Sequence, residues 1–330
     1  MIYGSVCSGI EAATQAWHPL GWKPSFFSEI EKFPRDVLTH HYPQVPLHGD
    51  FTTIQKDDYE PIELLVGGTP CQSFSVAGLR AGLDDPRGNL MLEFGALAKR
   101  LQPKWLVWEN VPGVLSSNSG RDFGSFLAML AELGYGFSYR VLDAQFVRTD
   151  GHPYAVPQIR RRVFVIGCFG SWQCAAAVLF DRESLQGNPP PRRSKGQKTT
   201  SFTASSFGQY DVSPCQTKTD VIAFYENHPA DSRVTDMGEV CTTVTSRWGT
   251  GGGNVPYAQM QMQVRRLTPT ECARLQGFPD NYLSQVKGAN DSNMYKALGN
   301  SMAVNVMQLI GERINLVEQL QADLAKKEAA

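Results

Sequence analysis

Long apolar runs are missing from this chain of 330 residues: no stretch approaches the ~20 residues needed to cross a bilayer. The first 20 residues also lack the pattern of a secretory signal peptide. Cysteine is sparse. The seven cysteines, at 7, 71, 168, 174, 215, 241 and 272, are an odd number and include no CxxC pair. Neither a disulfide framework nor a common zinc site is suggested, so a metal-free protein of a reducing cytoplasm is expected. A large excess of either charge is absent as well, the formal net charge being −1. Taken as a whole, that figure argues for no polyanionic partner.

The distribution of charge says more. Residues 1–150 hold 12 Lys/Arg against 17 Asp/Glu, whereas residues 151–266 hold 13 against 8. A basic middle behind an acidic front suits a grip on nucleic acid, although an ordinary solvated surface would read the same way.

Length allows more than one domain. Over the first 170 residues, short apolar runs alternate with helix-like stretches, the rhythm of a parallel sheet with crossover helices. Strands are predicted at 2–6, 25–28, 62–66, 105–109, 139–142 and 163–166, and helices at 9–20, 33–40, 89–101 and 123–133. From Asp181 the texture changes to Pro189-Pro190-Pro191, Arg192-Arg193 and a Ser/Thr-rich tract that reads as a linker. An irregular region follows, with β-prone residues 240–245 and the glycine run 249–253. Thr268-Pro269-Thr270-Glu271 reads as a capping box opening a helix through Leu275. Ser301 to Ala325 is predicted as one amphipathic helix, N-capped by Asn300 or Ser301.

Cys71 stands out. It lies in Gly67-Gly68-Thr69-Pro70-Cys71-Gln72-Ser73-Phe74-Ser75, directly after an apolar segment. The thiol is thereby placed at the carboxyl end of a buried strand, where open α/β sheets hold their ligands. Most cysteines are small buried hydrophobes, but a structural cysteine needs no such setting. Glu109 is a second strand-end group, in Trp108-Glu109-Asn110-Val111. Gln158-Ile159-Arg160-Arg161-Arg162 precedes another strand, and alternation would turn Gln158, Arg160 and Arg162 to one side. Singly, Glu109 could cap a helix and the arginines could be a solvated edge. Together, a thiol, a carboxyl group and two guanidinium groups suit nucleophilic attack on an electron-poor ring of an anionic substrate.

Here the chain resembles the DNA (cytosine-5) methyltransferases, of the bacterial or phage restriction-modification or Dcm-like type, nearly end to end. Gly67 to Ser75 is similar to the family's Pro-Cys-Gln motif, and Glu109 to Val111 to its Glu-Asn-Val motif. Gln158, Arg160 and Arg162 resemble its Gln-x-Arg-x-Arg motif. Arg266-Leu267-Thr268-Pro269, with Glu271, Arg274 and Gln276 to Pro279, resembles its penultimate motif, and Gly299-Asn300-Ser301 its last.

The resemblance implies an α/β fold with a doubly wound, mostly parallel sheet and a smaller irregular recognition domain. It implies S-adenosylmethionine as methyl donor, duplex DNA as substrate and a monomeric enzyme. Cys71 would attack carbon 6 of a flipped-out cytosine, Glu109 would hold the ring nitrogen and amino group, and Arg160 and Arg162 would orient the base and its phosphate. Gln72, Ser75, Arg87, Gln158, Thr243 and Arg247 would touch DNA, with residues 72–88 closing over the base on Gly78 and Gly82. Cys7, Ser8, Gly9, Ile10, Glu29, Ile30, Asp50, Phe51, Leu90, Asn300 and Ser301 would line the donor site. Departures fall there: Cys7 replaces an aromatic residue, Glu11-Ala12 replace glycines, and Ile30 stands where an aromatic ring often packs on adenine.

The implied organisation is a catalytic domain of 1–182 and 288–330, a recognition domain of 183–263 and a hinge at 264–287. Arg247, Trp248 and the glycine run would form either a major-groove loop or a plain surface loop. A tRNA cytosine-5 methyltransferase and a non-catalytic DNA-binding relative of the fold remain as alternatives.

Overall fold

The structure is a computed structural model that describes residues 1–70, 90–149, 155–180, 223–227, 234–238, 240–250, 255–260 and 263–328. The loop 72–88, Cys71, Gln72, Ser75, Arg87 and the linker from Asp181 lie outside the described residues.

Seven strands form the main sheet: β1 (Ile2–Val6), β2 (Lys23–Ser28), β3 (Leu47–His48), β4 (Leu64–Gly67), β5 (Trp105–Asn110), β6 (Tyr135–Asp143) and β7 (Arg161–Phe169). Their order is β3-β2-β1-β4-β5-β7-β6. The pairs among β1 to β5 are parallel, and only β7 runs antiparallel to its neighbours β5 and β6. This is the expected doubly wound, mostly parallel sheet.

Alternation along the strands explains why both faces are covered. Leu64, Val66, Trp105, Val107, Phe164 and Ile166 join one core, whereas Leu65, Leu106, Trp108, Val163 and Val165 join the other. The first core is closed by α1 (Ala12–Trp17), α5 (Trp172–Leu179) and the long α8 (Val304–Glu328). The second is closed by α3 (Leu90–Leu101) and α4 (Arg121–Glu132), with Phe94, Leu97 and Phe126 fully buried. Two indoles tie α8 across the sheet: Trp17 Nε1 donates to the Met307 carbonyl at 2.7 Å, and Trp105 Nε1 to Glu318 Oε1 at 2.6 Å. At Gly311 a Cβ would lie 2.5 Å from the Trp17 ring, so only glycine lets the two helices approach this closely.

A second, antiparallel sheet has the order β11-β10-β8-β9, from β8 (Ala223–Asn227), β9 (Val234–Gly238), β10 (Tyr257–Met260) and β11 (Gln263–Arg266). It leads into α6 (Pro269–Gln276), whose Thr268–Glu271 capping box forms as expected. Then come α7 (Asp291–Asn300) and α8.

Three expectations need correction. The tail is not one helix from Ser301: Asn300 ends α7, Ser301 turns extended at ψ 154°, and α8 begins at Val304. The first helix is shorter than 9–20, because Gly9 and Glu11 take left-handed backbone and Pro19 sits in a separate 3-10 turn, His18–Leu20. Residues 240–245 form no strand; Cys241 makes one isolated bridge to Gln158. The sheet's edge strand β3 (Leu47–His48) and the helices α2 (Lys32–His41), α5 and α7 complete the described chain, of which β3, α5 and α7 had no expectation.

Candidate active site

The carboxyl ends of β4 and β5 carry the site, stitched together by side chains from β5. Trp108 Nε1 donates to Thr69 Oγ1 at 3.1 Å, and Asn110 Nδ2 donates to the Thr69 carbonyl at 3.1 Å. The chain that leads to Cys71 is therefore held against the strand end that carries Glu109, as far as Pro70. A Cβ on Gly68 would lie 3.0 Å from Glu109 Oε2, so the missing side chain makes room for the carboxyl group.

Glu109 is nearly buried and pairs with Arg162, whose Nε lies 3.1 Å from Glu109 Oε1. Burial pushes the Glu109 carboxyl above the usual carboxylate range, and the charges of Arg162 and Arg160 only partly oppose that rise. A carboxyl group so held keeps its proton to higher pH than an ordinary surface glutamate does, which suits a general acid.

Arg160 and Arg162 start from the same edge and end in different places. Arg161 is exposed, as the alternation predicted. Arg160 is buried, and its guanidinium group is spent on backbone: Nη1 donates to the Val244 carbonyl at 3.0 Å, and Nη2 to the carbonyls of Gly299, at 3.0 Å, and Ser301. Burial and the neighbouring Arg162 lower it to about 9, which leaves it charged at neutral pH. It thus clamps three segments, namely the run into β7, the thread at Val244 and the α7–α8 break. Arg160→Met should cost roughly 3 kcal/mol or more, since each hydrogen bond from a charged group contributes about 1.5–3 kcal/mol. A thermal unfolding midpoint within 1 °C of the wild type, roughly the shift of a few tenths of a kcal/mol, would refute the clamp.

Around that clamp the segment 243–248 is packed firmly. Thr243 Oγ1 donates to the Ile159 carbonyl, and a Cβ on Gly299 would meet Ser246 N at 2.1 Å. Trp248 is buried, so it anchors the turn instead of projecting into a groove, whereas Arg247 beside it is exposed. Gln158 is fully buried, and its carboxamide finds no hydrogen-bond partner among the described residues.

A loop after β1 forms the other half of the site. Cys7, Gly9 and Glu11 have φ of 49°, 55° and 60°, three left-handed residues within five. Ser8 N donates to the Ser28 carbonyl at 3.0 Å and Gly9 N to Glu29 Oε2 at 2.8 Å, which binds the loop to the end of β2. Glu29 Oε1 also accepts from the N–H groups of Ile30 and Glu31, each at 2.8 Å. Asp50 caps a short turn by accepting from Thr52 N, Phe51 is buried, and Ile30 is 73% exposed at the rim. Ile10 is fully buried in the core and Leu90 is half-buried at the start of α3.

One cavity joins the two halves. Cys7, Ser8 and Gly9 from the β1 loop, Gly68 and Glu109 from the strand ends, and Asn300 and Ser301 after α7 all line it. Glu29, Ile30, Asp50, Phe51, Ile10 and Leu90 do not line that cavity. Several of its residues had no site assignment in the sequence reading, among them Ser5, Ala13, Val66 and Met302, while Glu11 and Ala12 were visible there only as departures from glycine. Burial pushes the Cys7 thiol up, with Glu29 and Asp50 adding to the effect, so it is a wall and not a nucleophile. Among the described residues no group of three or more His, Cys, Asp or Glu could hold a metal ion. Nor is any described helix long and apolar enough to cross a membrane.

A sheet of this order, with a tight loop after β1 and polar groups at the strand ends, defines a nucleotide-type α/β transferase fold. Solved structures agree on the fold. A DNA modification methyltransferase encoded within an Escherichia coli prophage superposes with a TM-score of 0.65 at 19% identity, over 97% of this chain and 99% of that one. The Dnmt2 methyltransferase of S. pombe gives 0.66 at 17%, over 96% and 99%. The family model for C-5 cytosine-specific DNA methylase matches residues 1–316. Type II methyltransferase M1.ScrFI of Lactococcus lactis subsp. cremoris is 32% identical over 88% of this chain and 72% of its own. A protein of Escherichia phage P1 named DNA N-6-adenine-methyltransferase is 33% identical over 95% of this chain, which spans 61% of that relative's length. The chain belongs to the C-5 cytosine-specific DNA methylases. Enzymes of this family take their methyl group from S-adenosylmethionine.

The joined cavity suits that donor in its chemistry more than in its present size of about 30 Å³. Hydroxyl and amide groups at Ser8, Ser301 and Asn300 match the polar amino-acid end, Glu109 is part of the same wall, and the space has to widen to admit the whole donor.

Proposed function

We propose that this chain methylates carbon 5 of a flipped-out cytosine in duplex DNA through a covalent Cys71 adduct at carbon 6. The observation that carries the proposal is the single cavity running from Ser8 and Gly9 to Glu109. Methyl transfer requires the donor loop and the acid that holds the base to share one space, and this lining supplies both.

Carbon 5 of cytosine is a poor nucleophile, and addition of a thiolate at carbon 6 makes it enamine-like. Glu109, its pKa raised by burial and its carboxyl group positioned by Arg162, donates a proton toward the ring nitrogen as negative charge builds there. Carbon 5 then forms its bond to the methyl group as the sulfonium–methyl bond breaks. A water molecule acting as base takes the carbon 5 proton, and the C–H electron pair re-forms the 5,6 double bond as the Cys71 thiolate leaves carbon 6. The base has to leave the stack, at a cost of about a few kcal/mol.

Sequence choice is assigned to residues 183–263, whose described part is the second sheet and the thread through Arg247. An exposed arginine next to a buried tryptophan anchor suits a rigid reader, and arginine on guanine is the commonest specific contact. Arg247→Ala should relax preference at one base position by roughly 1–3 kcal/mol. Sequencing the methylome of a host that expresses the variant measures this, and an unchanged motif at unchanged rate would move the reader elsewhere.

The function itself is tested with duplex DNA containing 5-fluorocytosine, which cannot lose its substituent as a proton. A denaturation-resistant complex should form only with S-adenosylmethionine present. Equal or faster labelling of tRNA than of duplex DNA would overturn the DNA assignment.

A further inference from the structure

Glu11 is an unexpected residue in this pocket. It stands where the family usually has glycine, keeps the left-handed backbone that suits glycine, and is 1% exposed. The residue nonetheless belongs to the cavity lining, together with Ser5, Ala12, Ala13, Glu109, Asn300 and Ser301. Ser5 Oγ donates to Glu11 Oε1, while Thr14 N and Thr14 Oγ1 donate to Oε2 at 3.1 and 2.6 Å. These three donors are all neutral, so they orient the carboxyl group without supplying a counter-charge. Capping α1 with a serine or asparagine would have needed no buried acid.

We propose that Glu11 reads the positive sulfonium of S-adenosylmethionine and so makes the pocket prefer donor over demethylated product. The proposal rests on the donor assignment above. Methyl transfer turns the sulfonium into a neutral thioether, so the electrostatic attraction of Glu11 is lost at the moment of reaction and product release is favoured. Opposite charges a few ångströms apart in a partly dry cavity interact strongly enough for a tenfold preference or more.

The charge on Glu11 itself supports this reading. Burial raises its pKa, against the opposing hydrogen bonds from Ser5, Thr14 and Ser8, and a cation in the cavity would favour its ionised form. The titratable groups acting with it among the described residues are Tyr3 from β1, Tyr42 after α2 and Tyr282 after α6. Burial pushes all three phenols up, with Tyr42 reaching about 12, so none of them exchanges a proton near neutrality. Cys7 is pushed up likewise, and Glu109 already faces Arg162.

Calorimetric titration of the full-length protein with S-adenosylmethionine and S-adenosylhomocysteine tests the proposal. The wild type should bind the donor at least tenfold tighter than the product. In Glu11→Gln, which keeps the Thr14 contacts, the preference should shrink about tenfold, while product affinity stays within threefold. Glu11→Gly, which suits the left-handed backbone, should behave alike. An unchanged preference in folded Glu11→Gln would reduce Glu11 to a helix cap. An equal loss for both ligands would move its contact to their shared ammonium group, and either result overturns the proposal. Failure of the wild type to bind either ligand would instead remove the donor assignment beneath it.

Discussion

Cys71→Ser is expected to lose methyl transfer to below detection while binding S-adenosylmethionine within threefold of the wild type. Serine is nearly the same size, but its hydroxyl is a far weaker nucleophile than a thiolate. The donor cavity is lined by the β1 loop, the strand ends and the α7–α8 break, so the change should leave that lining intact. Thr69, two residues before the thiol, is held by Trp108 and Asn110 whatever side chain follows. Calorimetry for the donor and transfer of labelled methyl to duplex DNA measure the two halves separately. Trapping on 5-fluorocytosine should fail in the variant. A trapped adduct with Cys71→Ser, or a residual rate within 100-fold of the wild type, would assign the nucleophile to another group.

Why the catalytic half was legible from sequence, and other parts were not, has physical reasons. A central strand of a parallel sheet is buried on both faces, so Trp105 to Trp108 reads as an unbroken apolar run ending in an acid. β3 has two residues and leaves no periodic trace. The helix α5, Trp-Gln-Cys-Ala-Ala-Ala-Val-Leu, is almost apolar all round, and no 3.6-residue stripe marks it as helical. The break between α7 and α8 is a tertiary effect. Arg160 takes the carbonyls of Gly299 and Ser301, groups 139 and 141 residues away, and no local signal announces such a partner. The same reason hid the destination of its guanidinium group, which shared a motif with Arg162 yet clamps backbone while Arg162 meets Glu109. Trp248 reads as a groove-facing aromatic residue until the packing of residues 245–246 on Gly299 is seen.

Glu109→Gln is expected to lower the methylation rate by about 10²–10⁴-fold, the usual contribution of a general acid or base. Glutamine keeps the size and can still hydrogen-bond the base, so DNA binding and discrimination of cytosine should suffer far less than turnover. It loses two things: easy transfer of a proton, and the negative charge that pairs with Arg162 at 3.1 Å. The pH profile separates these losses. Burial raises the Glu109 pKa, so the protonated, donating form persists to higher pH than in an exposed glutamate and is lost as pH rises through the raised value. The wild-type rate should therefore fall on the alkaline side of a limb that Glu109→Gln does not show. Arg162→Gln provides the complementary reading, because without its cation the Glu109 pKa should climb further and the limb should move to higher pH. A loss under threefold in Glu109→Gln, or the same alkaline limb in the variant, would leave Glu109 as a strand-end partner of Arg162 with no part in the proton transfer.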